Sequence, residues 1–222
     1  MQTRGVIAGL APVTVTVLKR GDNVVIIGLT GSIGMGKSTT SRFFAEAGVP
    51  VHDADMAVHR LYAGAAAPII EAEFPGVSNA EGIDRDKLAK RVLGDPESLR
   101  RLEGIIHPLV RREEARFLDE AERAGVPIAV LDIPLLFETG ADRRVDAVVV
   151  VTAPAEVQRA RALGRSGMTE EKFRALLAKQ MPDAEKRRRA DFVVDTSRGI
   201  ESARAQVQDI LAAIVKMPRR RP

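Results

Sequence analysis

Three glycines followed by a lysine and a serine set the first chemical constraint on this chain. Gly31-Ser32-Ile33-Gly34-Met35-Gly36-Lys37-Ser38 fits G-x-x-x-x-G-K-[ST]. Glycines at 31, 34 and 36 let the backbone turn through φ values that strain other residues, so that successive N–H groups can face phosphate oxygens. A helix starting at the end of the loop would add unpaired N–H groups and the positive end of its dipole. Lys37 would then reach the β- and γ-phosphates, and Ser38 would offer its hydroxyl to Mg²⁺. The expected ATP-binding residues are Gly31, Ser32, Ile33, Gly34, Met35, Gly36, Lys37, Ser38 and Thr39, the last as a structural neighbour.

Such a loop works only if a strand aims it and a helix receives it. Val24, Val25, Ile26 and Ile27 form an apolar, β-branched run before it, and helix-compatible residues continue to Ala47. A glycine-rich turn can match the pattern by accident; the strand before and the helix after argue against that. The loop points to a nucleoside triphosphate and leaves the phosphate acceptor open.

Carboxylates at strand ends are the next candidates. Residues 49–52 read as a short strand running into Asp53-Ala54-Asp55. In an open parallel sheet, ligands sit at the carboxyl ends of strands, which would bring this pair beside the phosphate loop. Either aspartate could instead cap the following helix, and one can cap while the other faces a substrate. The apolar strand 126–132 also ends in a carboxylate, Asp132, followed by Ile133-Pro134-Leu135-Leu136-Phe137-Glu138. Asp132 could hold the water shell of a metal ion, or cap the turn beginning at Pro134, and these residues alone leave both open.

Between these strands, 63–125 is a loose stretch followed by helical segments at 86–93 and 96–123, interrupted at His107-Pro108. That is more helix than a crossover requires, so an inserted helical lobe is expected. Arg91, Arg100, Arg101, Arg111 and Arg112 could hold an anionic acceptor or simply line solvated faces. His107 by itself reads as a buried, hydrogen-bonded residue. After a strand at 145–151, a helix carrying Arg161 and Arg165 four apart, hence on one face, leads through Gly164, Ser166 and Gly167 to a second helix at 169–181. Arginine-bearing helix pairs over such a loop serve as lids that exclude water and add positive charge. The run from Lys186 to Arg188 reads as a solvated face.

The composition fits this assignment. The 222 residues are 45% apolar and 29% charged, ordinary for a globular protein. The absence of cysteine excludes disulfides, thiolate metal sites and a cysteine nucleophile, and agrees with a reducing cytoplasm. No apolar run approaches membrane-spanning length. The net charge of +4 sits at the ends: 1–23 carry +2 and 216–222 carry +4, leaving −2 for 24–215. The body is not a basic domain, so nucleic acid is not an expected partner. Residues 1–23 read as a flexible extension with no secretory signal, since the apolar section at 6–18 is broken by Pro12. Translation starting near Val24 or Val25 is an alternative.

Alternating strands and helices, with the phosphate loop first, predict a three-layer α/β/α P-loop NTPase of the nucleoside-monophosphate-kinase type, with about five parallel strands. The expected core comprises 24–62, 126–163 and 191–215, with an acceptor lobe at 63–125, a lid at 164–190 and a basic tail at 216–222.

GLTGSIGMGKST, VHDAD, LEGIIHPLV, DIPLLFETG, QRARALGRSGMT with Gln180 further on, and RADFVVDTS occur in the order and approximate spacing of the dephospho-coenzyme A kinases, which the chain resembles from about 26 to 197. The resemblance implies transfer of the γ-phosphoryl of ATP to the ribose 3′-hydroxyl of dephospho-CoA, with Mg²⁺, and no obligate protein partner. It also implies Asp55 as the catalytic carboxylate, with Lys37 and Arg161 in catalysis and Arg165 on ATP. Asp53, His107, Pro134 and Leu135 would lie on the acceptor side, with Ser38 and Asp132 at the metal. Ser32 and Met35 replace the family's glycine and small residue, which should alter packing more than chemistry. Thr196 replaces a common asparagine, which puts its part in holding adenine in question. Rival readings are a kinase for another acceptor, a nucleotide switch, which lacks an N-K-x-D stretch here, and a nucleic-acid module using the basic ends.

Overall fold

A computed structural model describes residues 24–217; the expectations for 1–23 and for the end of the tail lie outside the described residues. The chain begins with β1 (Val25–Thr30), α1 (Lys37–Glu46), β2 (Val51–Asp53), α2 (Ala54–Ala63) and α3 (Ala67–Glu73). A short hairpin, β3 (Ser78–Asn79) and β4 (Gly82–Ile83), precedes α4 (Arg85–Val92) and the long α5 (Pro96–Arg123). Then come β5 (Ile128–Asp132), β6 (Ala147–Thr152), α6 (Ala155–Leu163), α7 (Glu170–Ala178), α8 (Asp183–Arg189), β7 (Phe192–Asp195) and α9 (Ile200–Ile214).

Five strands form one parallel sheet in the order β2-β5-β1-β6-β7. The inner strands read IIGLT, IAVLD and AVVVV because both faces of a parallel sheet are covered, leaving no position for a solvent-facing polar alternation. Alternate side chains serve opposite layers. Ile27, Leu29, Val149 and Val151 pack with Phe43 and Phe44 of α1 and Val207 and Ile210 of α9. Ile26, Leu131, Val148 and Val150 pack on the other face with Leu136 and Phe137, against Phe117 and Leu118 of α5. This is the α/β three-layer arrangement expected, with five strands.

A separate apolar cluster holds α2 to α5 together: Leu61, Ile70, Phe74, Val77, Leu88, Leu102 and Ile106 bury against one another away from the sheet. The loose stretch therefore contains a helix, α3, and a hairpin, both too short to show a hydrophobic period.

Three local expectations are corrected. The break at His107-Pro108 does not occur; α5 runs through it. A proline removes one backbone bond and crowds the carbonyl four residues back. Here that residue is Gly104, which together with His107 and Pro108 lies on the exposed side, where water can take up the freed carbonyl. Second, α6 ends at Leu163 with Gly164 as its cap, so Arg165 lies beyond the helix and does not share a face with Arg161. Third, the run at 186–188 is not all solvated: α8 buries Lys186 completely, while Arg187 and Arg188 stay exposed.

Candidate active site

The central strand delivers the loop to the carboxyl edge of the sheet. Gly34 and Gly36 have φ of 81° and 94°, the left-handed region that only glycine enters without strain, and Gly36 caps the start of α1. A Cβ at Gly34 would lie 2.5 Å from the Gln158 carbonyl oxygen, so space as well as φ demands glycine. Met35 points inward, buried against the core, its sulfur accepting the Ala153 N–H at 3.1 Å. Ser32 is buried too, so both residues that depart from the family pattern fill space behind the loop. Two amides expected to face phosphate are committed within the protein: Met35 N–H bonds to the Ser32 carbonyl at 3.1 Å and Ile33 N–H to Gln180 Oε1 at 3.1 Å.

Lys37, the first residue of α1, forms an ion pair with Asp132 at the end of β5. Asp132 is 2% exposed, and among the described residues it is not the N-cap of any helix. Burial pushes its carboxyl above the ordinary carboxylate range, while Lys37 and a hydrogen bond from Ser41 pull against that, and nearby Asp53 adds to the rise. Asp53 is the ladder partner of Asp132 across β2 and β5, which places two carboxylates at adjacent strand ends. Asp53 also caps α2, accepting Met56 N–H at 2.9 Å. Asp55 lies in the first turn of that helix, exposed, with no capping task. The structure thus divides the pair: one aspartate fixes the helix and the other stands free beside the strand ends.

Ser38 is exposed at the second position of α1. The Ser38 hydroxyl and the Asp132 carboxylate are hard oxygen donors of the kind Mg²⁺ takes, with phosphate oxygens and water completing its shell. Among the described residues no cluster of three or more His, Cys, Asp or Glu could hold a metal without such a ligand.

On the other side of the loop, Thr196, whose part in holding adenine the sequence left in question, makes bonds within the protein. Its hydroxyl donates to Met35 O at 2.8 Å and accepts from Arg161 Nη1 at 2.7 Å, while Arg161 Nη2 donates to Thr196 O at 2.9 Å. Thr196 also packs against Gly36, where a Cβ would meet its side chain at 3.1 Å. Arg161 is thereby held beside the loop, whereas Arg165 is exposed beyond α6. A cavity of about 440 Å³ opens next to Met35, lined also by Thr152, Pro154, Gln158, Asp183 and Asp195. His107 is exposed on α5; the Pro134 carbonyl accepts from Thr30 Oγ1 at 2.9 Å, and Leu135 is partly exposed beside it.

A second cavity of about 400 Å³ lies between β2, α2 and α5, lined by His52, Asp53, Met56, Arg60, Glu113 and Phe117. His52 is buried, its ring 5.3 Å from that of Phe117 and its Nε2 without a hydrogen-bond partner. Burial chiefly lowers its pKa from 6.5; Arg60 adds to this, and Glu114, Glu113 and Asp53 oppose it. The folded state keeps the ring neutral, whereas the unfolded chain takes a proton as the pH falls below 6.5, so stability is lost on acidification through that value. His52→Phe should flatten the pH dependence of the melting temperature between about pH 7 and 5. A variant with the wild-type slope would exclude His52 as its source.

Gln158 and Gln180 stood in the motifs that carry the family resemblance, but nothing in their spacing pointed to their bonds with the carbonyl and the amide of Ile33. Nor did any spacing point to the pairing of Glu138 with Lys186.

The sequence profile of the dephospho-CoA kinases matches residues 25–202. A dephospho-CoA kinase of Rhodopseudomonas palustris strain BisB18 is 62% identical over 196 residues, 88% of this chain and 98% of the relative. One of Mesorhizobium japonicum is 65% identical over 188 residues, 85% of this chain and 95% of the relative. Among solved structures, TT1252 from Thermus thermophilus superposes with a TM-score of 0.77 at 35% identity, covering 86% of this chain and 98% of its own. The dephospho-CoA kinase of Campylobacter jejuni shares the fold, with a TM-score of 0.61 at 23% identity over 86% of this chain and 98% of its own. With a phosphate loop on the central strand, paired carboxylates at the neighbouring strand ends and a family match across nearly the whole described chain, this protein belongs to the dephospho-CoA kinase family.

Proposed function

We propose that this protein transfers the γ-phosphoryl group of ATP to the ribose 3′-hydroxyl of dephospho-CoA, giving CoA and ADP. The observation that carries the reading is the family match over residues 25–202, laid on a loop whose Lys37 meets a strand-end carboxylate.

The ribose oxygen attacks the γ-phosphorus, the bond to the β–γ bridging oxygen breaks, ADP leaves, and the hydroxyl proton departs. The transition state is loose, so positioning and charge carry the rate. Lys37 leaves its resting pair with Asp132 to meet the β- and γ-phosphates, and Arg161 keeps positive charge beside the loop through its hold on Thr196. Asp55 orients the hydroxyl and accepts its proton late, because a carboxylate is too weak a base to remove it in advance. Ser38 and Asp132 would hold Mg²⁺, which when bound neutralises phosphate charge. The insertion at 63–125, with α3 to α5 and His107, forms the acceptor lobe, with Asp53 on its side; Pro134 and Leu135 line its approach; 164–190, with α7, α8 and Arg165, forms the lid.

Among the described residues no helix is long and apolar enough to cross a membrane. A cytoplasmic location belongs to this reading, and a chain without cysteine is compatible with that reducing compartment. ADP release by purified protein with ATP and Mg²⁺, with and without dephospho-CoA, and with the product identified by mass, tests the proposal. Formation of CoA is expected; ATP binding without transfer would discard the acceptor.

A further inference from the structure

The fully buried lysine of α8 has no part in the mechanism above. Lysine is almost never fully buried unless paired. Lys186 is 0% exposed, and its ammonium lies 3.0 Å from Glu138 Oε1, off the line of a good hydrogen bond. The same oxygen accepts Met181 N–H at 2.7 Å. Glu138 thus holds the chain both just before α8, at Met181, and within it, at Lys186. Two more residues fix α8: Arg189 pairs with Asp142 at 2.7 Å and lies over the Phe137 ring, and Asp183 accepts from Thr152 Oγ1 at 2.9 and 3.0 Å.

What this anchoring sets is the place of the preceding residue. Gln180 accepts Ile33 N–H at 3.1 Å, while Gln158, on α6 just before the lid, donates to Ile33 O at 2.8 Å. One glutamine before the lid and one within it therefore grip the single residue Ile33, through the peptide groups on either side of it, at the tip of the phosphate loop. The loop, Gln180, Glu138 with Lys186, the turn after β5, Asp132 and Lys37 form a closed circuit back to the loop. A buried ion pair is a poor source of stability compared with apolar packing, so its value here is geometric.

We propose that Gln180, Glu138 and Lys186 are positioning residues for the ATP side of the reaction: the Glu138–Lys186 pair holds Gln180 on Ile33 and so fixes the curvature of the phosphate loop. The proposal rests on the reading that this loop takes ATP.

Steady-state kinetics on the full chain with both substrates varied, calorimetric titration with ATP and Mg²⁺, and melting temperatures test it. Gln180→Ala changes a partly exposed side chain and leaves the core intact. It should raise the KM for ATP about fivefold to tenfold, as loss of one hydrogen bond allows, and lower kcat, with the KM for dephospho-CoA within about twofold. Lys186→Met and Glu138→Gln should give the same split. Gln180→Ala combined with Glu138→Gln should cost less in kcat/KM for ATP than the product of the single effects, because both act through one contact. An unchanged KM for ATP in Gln180→Ala, or both KM values rising together with a lower melting temperature, would overturn the proposal. The titration reads the loop without the acceptor, so a wild type that binds ATP but does not phosphorylate dephospho-CoA fails the functional reading while the comparison of variants still decides this one.

Discussion

Lys37→Ala should slow phosphoryl transfer in a single turnover by about 10²- to 10³-fold, the loss typical of one preorganised charge aimed at developing negative charge. The structure adds a second consequence. Lys37 is the ion-pair partner of Asp132, a carboxylate 2% exposed and already pushed up by burial. Removing one member of a buried pair leaves an uncompensated charge, at a cost of about 3 kcal/mol or more. Because the folded-state pKa of Asp132 is raised, the penalty is present well above that pKa and is relieved as the carboxyl takes a proton. The melting-temperature deficit of the variant against wild type should therefore be largest near neutral pH and shrink on acidification. Lys37→Ala combined with Asp132→Asn should recover stability without recovering transfer. Single-turnover rates and melting curves across pH separate the two effects, and a variant with near-wild-type transfer would remove Lys37 from phosphate binding.

Asp55→Asn should lower kcat by about 10²- to 10⁴-fold, the range for a general base. The fold should hardly notice. The cap of α2 is Asp53, so Asp55 contributes to stability only through its charge in the first turn, about 0.3–1 kcal/mol. A large kinetic loss with a nearly unchanged melting temperature would separate chemistry from structure. Asp53→Ala gives the complementary pattern: loss of a cap, about 1 kcal/mol of stability, with a smaller effect on kcat. If Asp55→Asn retained near-normal kcat, the proton would have to leave by another route, and Asp53, beside Asp132 in the ladder, would be the next candidate.

The parts of the site that were legible in the sequence are those whose constraints are local. Glycines at 34 and 36 are required by φ values that only glycine takes easily, and the strand before and the helix after the loop are set by neighbouring residues. The alternation of buried strands with helices is likewise a near-neighbour pattern, so the parallel sheet could be expected. Local reasoning fails where a distant contact decides. It misjudged α5 because the acceptability of Pro108 depends on which side of the helix faces water. It put Lys186 in solvent because the partner that permits burial, Glu138, is 48 positions away in the chain.

By itself the sequence determined the phosphate loop, the strand that aims it, the order of the elements and, through motifs in series, the family. The first three rest on backbone geometry or hydrophobic period within a few residues; the family rests on resemblance of the motifs, matched by the family model over residues 25–202. Only the tertiary structure decided that Asp53 caps while Asp55 stands free, that Asp132 meets Lys37, that Arg161 is held by Thr196 and that Ile33 is gripped by two glutamines. The cap is a choice between two aspartates made by the backbone within three residues, whereas the other assignments depend on which residues the parallel crossovers bring to one edge of the sheet. Pairings across 95, 35, 147 and 125 positions leave no periodic trace in the chain.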